Sequence, residues 1–511
     1  MSTHARSIAK SALVVASGTF MSRLLGFARD MVTAYALGAG WAADAFFVAF
    51  RIPNLLRNLF GEGSMTMAFV PVYTRTRQES GEPAAQATAR AALAWLVVIL
   101  GGLTLLAELL AGPITTLMAP GFGDNPAARE LTAELLRITF PFALSICCVA
   151  LCMGILNASG KFLAPALAPC VLNLTLIAAG LGAVFLSLSV PHALAWAVLA
   201  AGVLQWLLQQ PFLRGIGFSW RGPWTWRDPG VLRVGRLMIP TLFGAAVYQL
   251  NIVLGTVMAS FLAEGSISFL YYADRVVQFP LGVFGVAVST AALPSLAALA
   301  VRGEGEEFKR TLNAGLKLSL FICLPATAGL LALSEPVTRL LFGRGAFDPA
   351  AVAATSQAMM AYALGLPAFA QVRPLVSAYY AQEDTRTPVK VAAFCLLVYV
   401  GLGFALMGPL AHVGLALAAS ASSWANSLLL SGLLARRIGP WRDYLRGSLK
   451  AALLSLGLGL AAWSTVPLGK WAVALIPLWA GLYILAARLV RAPEALLLTD
   501  ALLRRMGRKG V

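Results

Sequence analysis

The sequence predicts an all-α polytopic membrane protein, and three observations lead to that class. The first is composition: 59% of the 511 residues are hydrophobic, only 12% are charged, and the mean hydropathy is +0.78. Soluble proteins carry about 25% charged residues, so this chain has too few charges to cover a surface that faces water. The second is a series of apolar runs, and the third is the distribution of basic residues between those runs.

Apolar runs long enough to span a bilayer occur fourteen times. A spanning helix needs roughly 20 mainly apolar residues. The first run contains Arg23, Arg29 and Asp30, which do not suit the core of a cleaved signal peptide. The fourteen predicted spans are 11–37, 42–73, 91–118, 132–157, 163–187, 192–213, 233–262, 267–300, 311–334, 351–380, 388–409, 412–435, 448–466 and 470–490.

Basic residues alternate between the connecting segments. With fourteen spans and a cytoplasmic N-terminus, 28 Lys and Arg residues fall in inward segments, 4 fall in outward segments, and 7 lie within spans. Cytoplasmic segments are enriched in Lys and Arg, so this bias predicts that both termini are cytoplasmic. It also accounts for most of the net charge of +17, and no nucleic-acid partner is needed to explain it.

Metal-binding and redox patterns are not expected. The six cysteines lie inside apolar runs and are predicted to be small buried hydrophobes. None of the three histidines sits in the middle of a span, which argues against a histidine proton relay. The sequence therefore predicts no bound metal and no cofactor.

Two halves of the chain resemble each other at an offset near 224. Each repeat would hold six spans, so the pseudo-axis would run along the membrane normal and the substrate would bind at the interface of the halves. The predicted domains are 1–224, 225–447 and a C-terminal helix pair with a basic tail at 448–511. The matching positions are Ala49-Phe50-Arg51 with Ala273-Asp274-Arg275, Phe60-Gly61 with Phe284-Gly285, Ala68 with Ala292, and Ala158 and Pro165 with Ala381 and Pro388.

Charged residues within the predicted spans are the main functional signal. Each central charge costs about 2.5–3.5 kcal/mol on insertion scales. Such residues either snorkel from span ends, pair with one another structurally, or line a hydrated cavity. Snorkelling is expected for Arg137 and Arg373. The others are Arg23, Arg29, Asp30, Asp44, Arg51, Arg57, Glu62, Asp274 and Arg275.

Spacing favours a hydrated cavity beside span 2. Asp44, Arg51, Asn54 and Asn58 follow at steps of 7, 3 and 4 and share one helical face. In span 8, Arg275 and Gln278 also share a face. Every base in the central set is Arg, whose planar fork suits phosphate and carboxylate. These residues predict a polar cavity that grips a phosphate or diphosphate, although structural Arg–Asp pairs would produce the same pattern.

The chain contains several long strings that include polar residues. They are Ser22-Arg23-Leu24-Leu25-Gly26-Phe27-Ala28-Arg29-Asp30, Ala43-Asp44-Ala45-Phe46-Phe47-Val48-Ala49-Phe50-Arg51-Ile52-Pro53-Asn54-Leu55-Leu56-Arg57, Phe60, Glu62-Gly63, Ala68-Phe69-Val70-Pro71, Tyr271-Tyr272-Ala273-Asp274-Arg275 and Asp384-Thr385-Arg386-Thr387-Pro388. Through these strings the chain resembles the MurJ (MviN) lipid II flippase family over essentially its whole length.

That resemblance implies a transporter rather than an enzyme, in the multidrug/oligosaccharidyl-lipid/polysaccharide exporter superfamily. It implies a V-shaped, two-lobe fold that moves lipid II, the undecaprenyl diphosphate-linked peptidoglycan precursor, by alternating access across the bacterial inner membrane. Peptidoglycan and cell-wall biogenesis, cell shape and partners in the cell-wall machinery follow from the same resemblance. The last two helices would form a groove for the lipid tail.

The resemblance also implies roles for individual residues. The cavity arginines of the family fall on Arg23, Arg29, Arg57 and Arg275, and Asp44 and Asn54 match motif positions. Similar proteins often carry Glu where this chain has Gln278, which puts an acidic role at that position in doubt. Arg51 completes the expected substrate-binding set. The expected supporting residues are Asp30, Glu62, Asp274 and Gln278.

Two other functions fit parts of the sequence. An exporter of another polyprenyl-linked oligosaccharide or of a drug is the nearest, but drug exporters usually have twelve spans and fewer cavity arginines. A membrane lipid-sugar transferase would need an acidic metal cluster or a catalytic Asp and His loop, and the short outward loops offer none. Coupling to the membrane potential or to a monovalent cation is compatible with an anionic substrate.

Overall fold

The computed structural model describes residues 3–59, 65–282 and 286–496, and within these ranges the chain is all-α, as predicted. No β-strand occurs in these ranges. A 3₁₀ helix at Pro120–Asp124 and another at Val466–Leu468 connect helices. The α-helices are α1 Thr3–Leu37, α2 Trp41–Leu56, α3 Met65–Leu109, α4 Ala111–Met118, α5 Pro126–Thr139, α6 Phe142–Ala158, α7 Leu163–Phe185, α8 Val190–Arg214, α9 Pro229–Ser260, α10 Ser266–Pro280, α11 Val286–Arg302, α12 Gly305–Leu341, α13 Pro349–Ala363, α14 Leu366–Ala381, α15 Arg386–Ile438, α16 Arg442–Trp463, α17 Lys470–Ala474 and α18 Ile476–Leu489.

Six helical stretches of the described chain are long and apolar enough to cross a membrane. Their outer faces expose large apolar side chains, which suits a lipid surround. Three shorter apolar helices, Gln249–Ser260, Gly447–Trp463 and Ile476–Leu489, accompany them. The six stretches are Met65–Leu109, Pro126–Ala158, Leu163–Phe185, Val190–Arg214, Gly305–Leu341 and Arg386–Ile438.

The chain divides into two compact units. The first runs to Ser268 and includes the short segment Arg344–Phe347, and the second holds Phe269–Gly343 and the chain from Asp348 onward. Helix α9 thus lies wholly in the first unit. In the first unit, Phe69 and Tyr73 are buried in a core formed by α3, α6, α8 and α9. In the second unit, Tyr379 is the largest side chain of a core formed by α11, α12, α14 and α15.

Several runs that were predicted as single spans are broken helices. Run 132–157 is interrupted between α5 and α6, where Pro141 lacks the backbone N–H that would continue the hydrogen bonding of the helix. Run 351–380 is interrupted between α13 and α14, next to Gly365 and Pro367. Runs 42–73 and 267–300 are each divided between two helices, and the residues at both junctions, 60–64 and 283–285, lie outside the described ranges.

The irregularities of the backbone recur at an offset of 222–224 residues. Helices α5 and α13 end at Thr139 and Ala363, which are 224 positions apart. Ser187 and Ala411, also 224 apart, both adopt positive φ without being glycine. Further pairs are Gly81 with Gly303, Gly217 with Gly439 and Gly160 with Glu383, all at positive φ. The repeat seen weakly in the sequence is therefore also present in local backbone geometry.

The turn between α14 and α15 is closed by a carboxylate. Asp384 accepts hydrogen bonds from the Thr387 backbone N–H at 2.9 Å and the Thr387 hydroxyl at 2.7 Å. Asp384 Oδ2 also forms an ion pair with Arg437 Nη2 at 2.7 Å. Arg437 in turn lies over the Tyr379 ring. The Thr387 bonds, followed by Arg437, lower the pKa of Asp384 to about 2. The charged form therefore stabilises this turn.

We predict that Asp384→Asn lowers the thermal midpoint of the detergent-solubilised protein by a few degrees at pH 7, because the ion pair and one accepted bond are lost. A depressed folded-state pKa contributes stability above the unfolded value near 4, and that stability is lost as the pH falls towards 2. The difference between variant and parent should shrink over that window. A midpoint difference that is constant from pH 6 to pH 2 would contradict the assignment.

Candidate functional site

Arg29 is held in a buried polar cluster at the α1–α7 contact. Its Nη2 and Nε donate to Asp30 Oδ1 at 2.7 and 3.0 Å, and its Nη1 donates to Asn173 Oδ1 at 3.2 Å. The Arg29 side chain is 15% exposed and Asp30 is buried. Two residues that were expected in the site are therefore in direct contact: Asp30, expected as a supporting residue, and Arg29, expected to bind substrate.

Asn173 was missed by sequence reasoning. It lies in the middle of α7, and its amide Nδ2 donates to the backbone carbonyl of Ser22 at 3.0 Å while its oxygen accepts from Arg29. Gly26 faces Asn173, since a Cβ at this position would lie 3.6 Å from Asn173 Nδ2, in ordinary van der Waals contact. A single Asn in an otherwise apolar run was the available signal, because a buried amide requires partners.

A second polar group lies at the end of α2. Arg57 Nε donates to Asn54 Oδ1 and Arg57 Nη2 donates to Asn58 Oδ1, both at 2.9 Å. Amide acceptors orient a guanidinium without themselves cancelling its charge. On the other side of the helix, Phe46 and Phe47 are buried in the protein. Two members of the predicted polar stripe, Asn54 and Asn58, thus both accept from Arg57, and a third, Arg51, is half-buried one turn earlier.

Asp44 is placed differently from the other members of the predicted stripe. It is buried, and its carboxylate accepts hydrogen bonds from Gly265 N at 2.7 Å, from Ser268 N at 2.8 Å and from the Ser268 hydroxyl at 2.5 Å. Gly265 directly precedes α10 and Ser268 is its third residue, and N–H groups at the start of a helix have no partner inside that helix. Asp44 therefore acts as an N-cap supplied by α2, at the favourable end of the α10 dipole.

The second unit holds Arg275, on α10. Its guanidinium lies over the ring of Tyr271, 4.8 Å from the centroid, one helical turn earlier. Asp274 accepts a hydrogen bond from Gln278, so the predicted supporting pair is formed along one face of α10. Tyr271 was not among the expected site residues, although its position four residues before Arg275 was visible in the sequence.

Three further charged residues of the predicted spans are exposed in the part of the chain that the structure describes. Arg23 is exposed on α1, and Arg373 is exposed on α14. Arg137 is exposed on α5 and donates to the Glu108 carbonyl at 3.4 Å. Glu62 lies outside the described residues. Among the described residues, no group of three or more His, Cys, Asp or Glu side chains is placed to hold a metal ion.

These clusters give guanidinium groups fixed orientations within apolar helices. Such groups recognise phosphate and carboxylate oxygens by paired, charge-assisted hydrogen bonds. The family model described as lipid II flippase MurJ matches residues 33–482 of this chain.

The chain belongs to the lipid II flippase MurJ family.

Curated relatives agree with this assignment. A probable lipid II flippase MurJ of Vibrio cholerae is 40% identical over 438 residues, which covers 84% of this chain and 83% of the relative. That of Haemophilus influenzae is 38% identical over 483 residues, with 89% and 92% covered. A lipid II flippase MurJ of Burkholderia cenocepacia is 36% identical over 464 residues, with 88% and 89% covered.

Solved structures agree on the fold. A structure described as lipid II flippase MurJ in an inward closed conformation aligns with a TM-score of 0.79 at 28% identity, covering 94% of this chain and 99% of that one. An inward-facing multidrug resistance MATE family transporter of the MOP superfamily aligns with a TM-score of 0.66 at 15% identity, covering 86% and 98%. At that identity the second likeness concerns the fold alone.

We predict that Asn173→Leu destabilises the protein by about 1–3 kcal/mol, because it leaves an Arg29 donor without this buried acceptor. The measurement is the unfolding midpoint in detergent. Thr175→Val, on the same helix, is the matched control, since the Thr175 hydroxyl bonds only to its own helix at Val171 O. Equal midpoints for Asn173→Leu and the parent protein would show that the Arg29–Asn173 contact is unimportant.

Proposed function

We propose that this chain translocates lipid II, the undecaprenyl diphosphate-linked peptidoglycan precursor, from the cytoplasmic to the outer leaflet of the bacterial inner membrane. Membership of the MurJ family supports the reaction. The observation that carries the mechanism is the set of guanidinium groups held by amide, carboxylate and aromatic partners within apolar helices. The protein would then be a transporter with no catalytic role, serving cell-wall biogenesis.

The proposed binding groups are Arg23, Arg29, Arg57 and Arg275, which bind the diphosphate and the neighbouring headgroup. Arg51 and Asn54 extend the polar surface on α2. Asp30 holds Arg29 in orientation. Asp274, Gln278 and Glu62 are proposed to support the other arginines. Because a guanidinium offers five donors, one arginine bonds to its protein partner and to a phosphate oxygen at once.

Asp44 is proposed to act on the conformational equilibrium rather than by touching the phosphate. Its bonds to Gly265 and Ser268 join span 2 to the start of span 8, in segments predicted to lie on the outer side. Nearby, Ala346 N donates to the Tyr35 carbonyl at 2.9 Å and Gly121 N donates to the Ser260 hydroxyl at 3.1 Å. We propose that these contacts close the outer side and break when the headgroup leaves.

The proposed architecture has fourteen spans, with both termini in the cytoplasm. Two six-span lobes, 1–224 and 225–447, would alternate access, and the helix pair in 448–511 would guide the lipid tail. The recurrence of helix breaks at an offset of 222–224 supports the two-lobe division. The bias of basic residues to alternate segments supports the orientation. Partners in the cell-wall synthesis machinery fit the same function.

The membrane potential is the proposed driving force, with a monovalent cation as the alternative. A unit charge that crosses 100 mV is worth about 2.3 kcal/mol. An anionic headgroup is driven out of a negative interior, and the empty, positively charged site is driven back. Transport and resetting would therefore both be favoured by the same field.

We predict that Arg29→Ala, Arg57→Ala and Arg275→Ala each lower transport about 10- to 100-fold. A hydrogen bond to a charged group is worth about 1.5–3 kcal/mol, and the loss falls on substrate recognition. The measurement is appearance of lipid II in the outer leaflet of vesicles that contain equal amounts of each variant. Lysine at the same positions should restore part of the activity, because it keeps the charge but not the fork.

Arg373→Ala is the matched control, since this arginine is exposed on α14 and outside the clusters. Arg23→Ala should behave like the three cluster variants if the exposed Arg23 also binds the headgroup. Normal transport by all four alanine variants would remove the binding assignment.

We also predict that the rate of transport falls when the potential across sealed vesicles is collapsed with an ionophore. The physical reason is the loss of the field that acts on the charged headgroup and on the empty site. The control is collapse of the cation gradient at constant potential. A rate that responds only to the cation gradient would favour cation coupling, and a rate that responds to neither would exclude both energy sources.

A further inference from the structure

The loop that follows α8, residues 215–228, is folded around a buried arginine. Arg90 of α3 is 7% exposed, and it donates to the carbonyls of Ser219 at 2.9 Å, Arg221 at 3.3 Å and Pro223 at 3.1 Å. Gly222 has φ 137°, and a Cβ at this position would lie 3.0 Å from Arg90 Cζ. The loop thus wraps the guanidinium and has a defined conformation.

Aromatic and polar anchors fix the rest of this loop. Trp95 of α3 donates to the Trp226 carbonyl at 3.0 Å, and the two rings meet edge to face. Trp226 in turn contacts Trp224, with 4.7 Å between ring centroids. At the end of the loop, Asp228 accepts from Thr88 at 3.1 Å and caps α9 through Val231 N at 3.1 Å.

The loop and the helix ends beside it carry exposed tryptophans as well as exposed arginines. Trp224 and Trp226 are 39% and 49% exposed despite their anchoring. The first turns of α9 continue this surface with the exposed apolar residues Leu232 and Ile239. The single acidic residue between 214 and 236 is Asp228, which is engaged in the cap. The exposed basic residues are Arg214, Arg221, Arg227, Arg233 and Arg236.

We propose that this surface, residues 214–239, binds the anionic phospholipid headgroups of the cytoplasmic leaflet. Tryptophans at the level of the headgroups and basic residues beside them are the combination that a negatively charged membrane surface attracts. A soluble anion would not account for the exposed tryptophans and the apolar residues of α9 that adjoin them. The proposal rests on the orientation given above, with this loop on the cytoplasmic side, and it is independent of lipid II binding.

We propose that Arg90 holds the loop in the conformation that meets the lipid headgroups. A loop that is already folded loses little conformational entropy when it meets the headgroups. Arg90 is therefore a positioning residue that contacts carbonyls of the protein, while Arg221 and Arg227 contact the lipid phosphates.

The test is a comparison of phospholipid binding by the full-length protein in neutral detergent. The probes are phosphatidylglycerol, phosphatidylcholine and water-soluble glycerol phosphate, with bound molecules counted by native mass spectrometry. The test variant is Arg221→Gln/Arg227→Gln. The control is Arg129→Gln/Lys470→Gln, which removes the same charge from segments predicted to be external.

The parent protein should prefer phosphatidylglycerol to phosphatidylcholine, and the test variant should lose up to about 25-fold of that preference, which corresponds to about fivefold for each arginine near a charged surface. The control should keep the preference. Arg233→Gln/Arg236→Gln should show a similar loss, so the prediction is still tested if the first variant unfolds.

Three results would overturn the proposal. They are an unchanged preference in both arginine variants, an equal loss in the external control, and competition by glycerol phosphate as effective as by the intact lipid. Retained lipid II transport in a variant that has lost the phosphatidylglycerol preference would leave the lipid II proposal standing, and loss of transport alone would not support the lipid surface.

Discussion

The cost of placing a charged group in an apolar helix is the constraint on which the rest of this structure depends. A guanidinium in a membrane span needs polar partners or water, because hydrocarbon offers neither. The protein meets this need locally. Arg29 is held by Asp30 and by Asn173 from a neighbouring helix, and Arg57 is held by Asn54 and Asn58. The contacts that offset the cost of these arginines in an apolar helix also fix the orientation of their guanidinium groups.

This constraint explains which parts of the site could be predicted. The contacts of Arg57 with Asn54 and Asn58 are local in sequence. Asn54 lies three residues before Arg57, and residues three or four apart on a helix are neighbours. The Arg29–Asn173 contact joins residues 144 positions apart, which no spacing rule anticipates. Asp44 is similar, since its place on the polar stripe suggested a ligand contact, whereas its partners are the N–H groups of a helix that begins more than 220 residues later.

The fold class was predictable from composition, and the helix breaks were less so. Apolar runs show that a segment lies in lipid, but they do not show where its helix is interrupted. The breaks at Phe140 and Leu364 and the positive φ of Ser187 and Ala411 recur at one offset. A non-glycine residue at positive φ costs free energy, so its recurrence at this offset is consistent with the repeat that the sequence predicts. In the sequence, the only sign of this repeat was a small number of matching residues between the two halves.

The central claim is that these arginines hold the diphosphate of a lipid-linked precursor. An experimental structure of the full-length protein with bound lipid II tests this most directly. The account predicts diphosphate oxygens within about 3 Å of the guanidinium nitrogens of Arg29, Arg57 or Arg275, which is the distance of a charge-assisted hydrogen bond. A diphosphate bound elsewhere, with these arginines still contacting only their protein partners, would contradict the account.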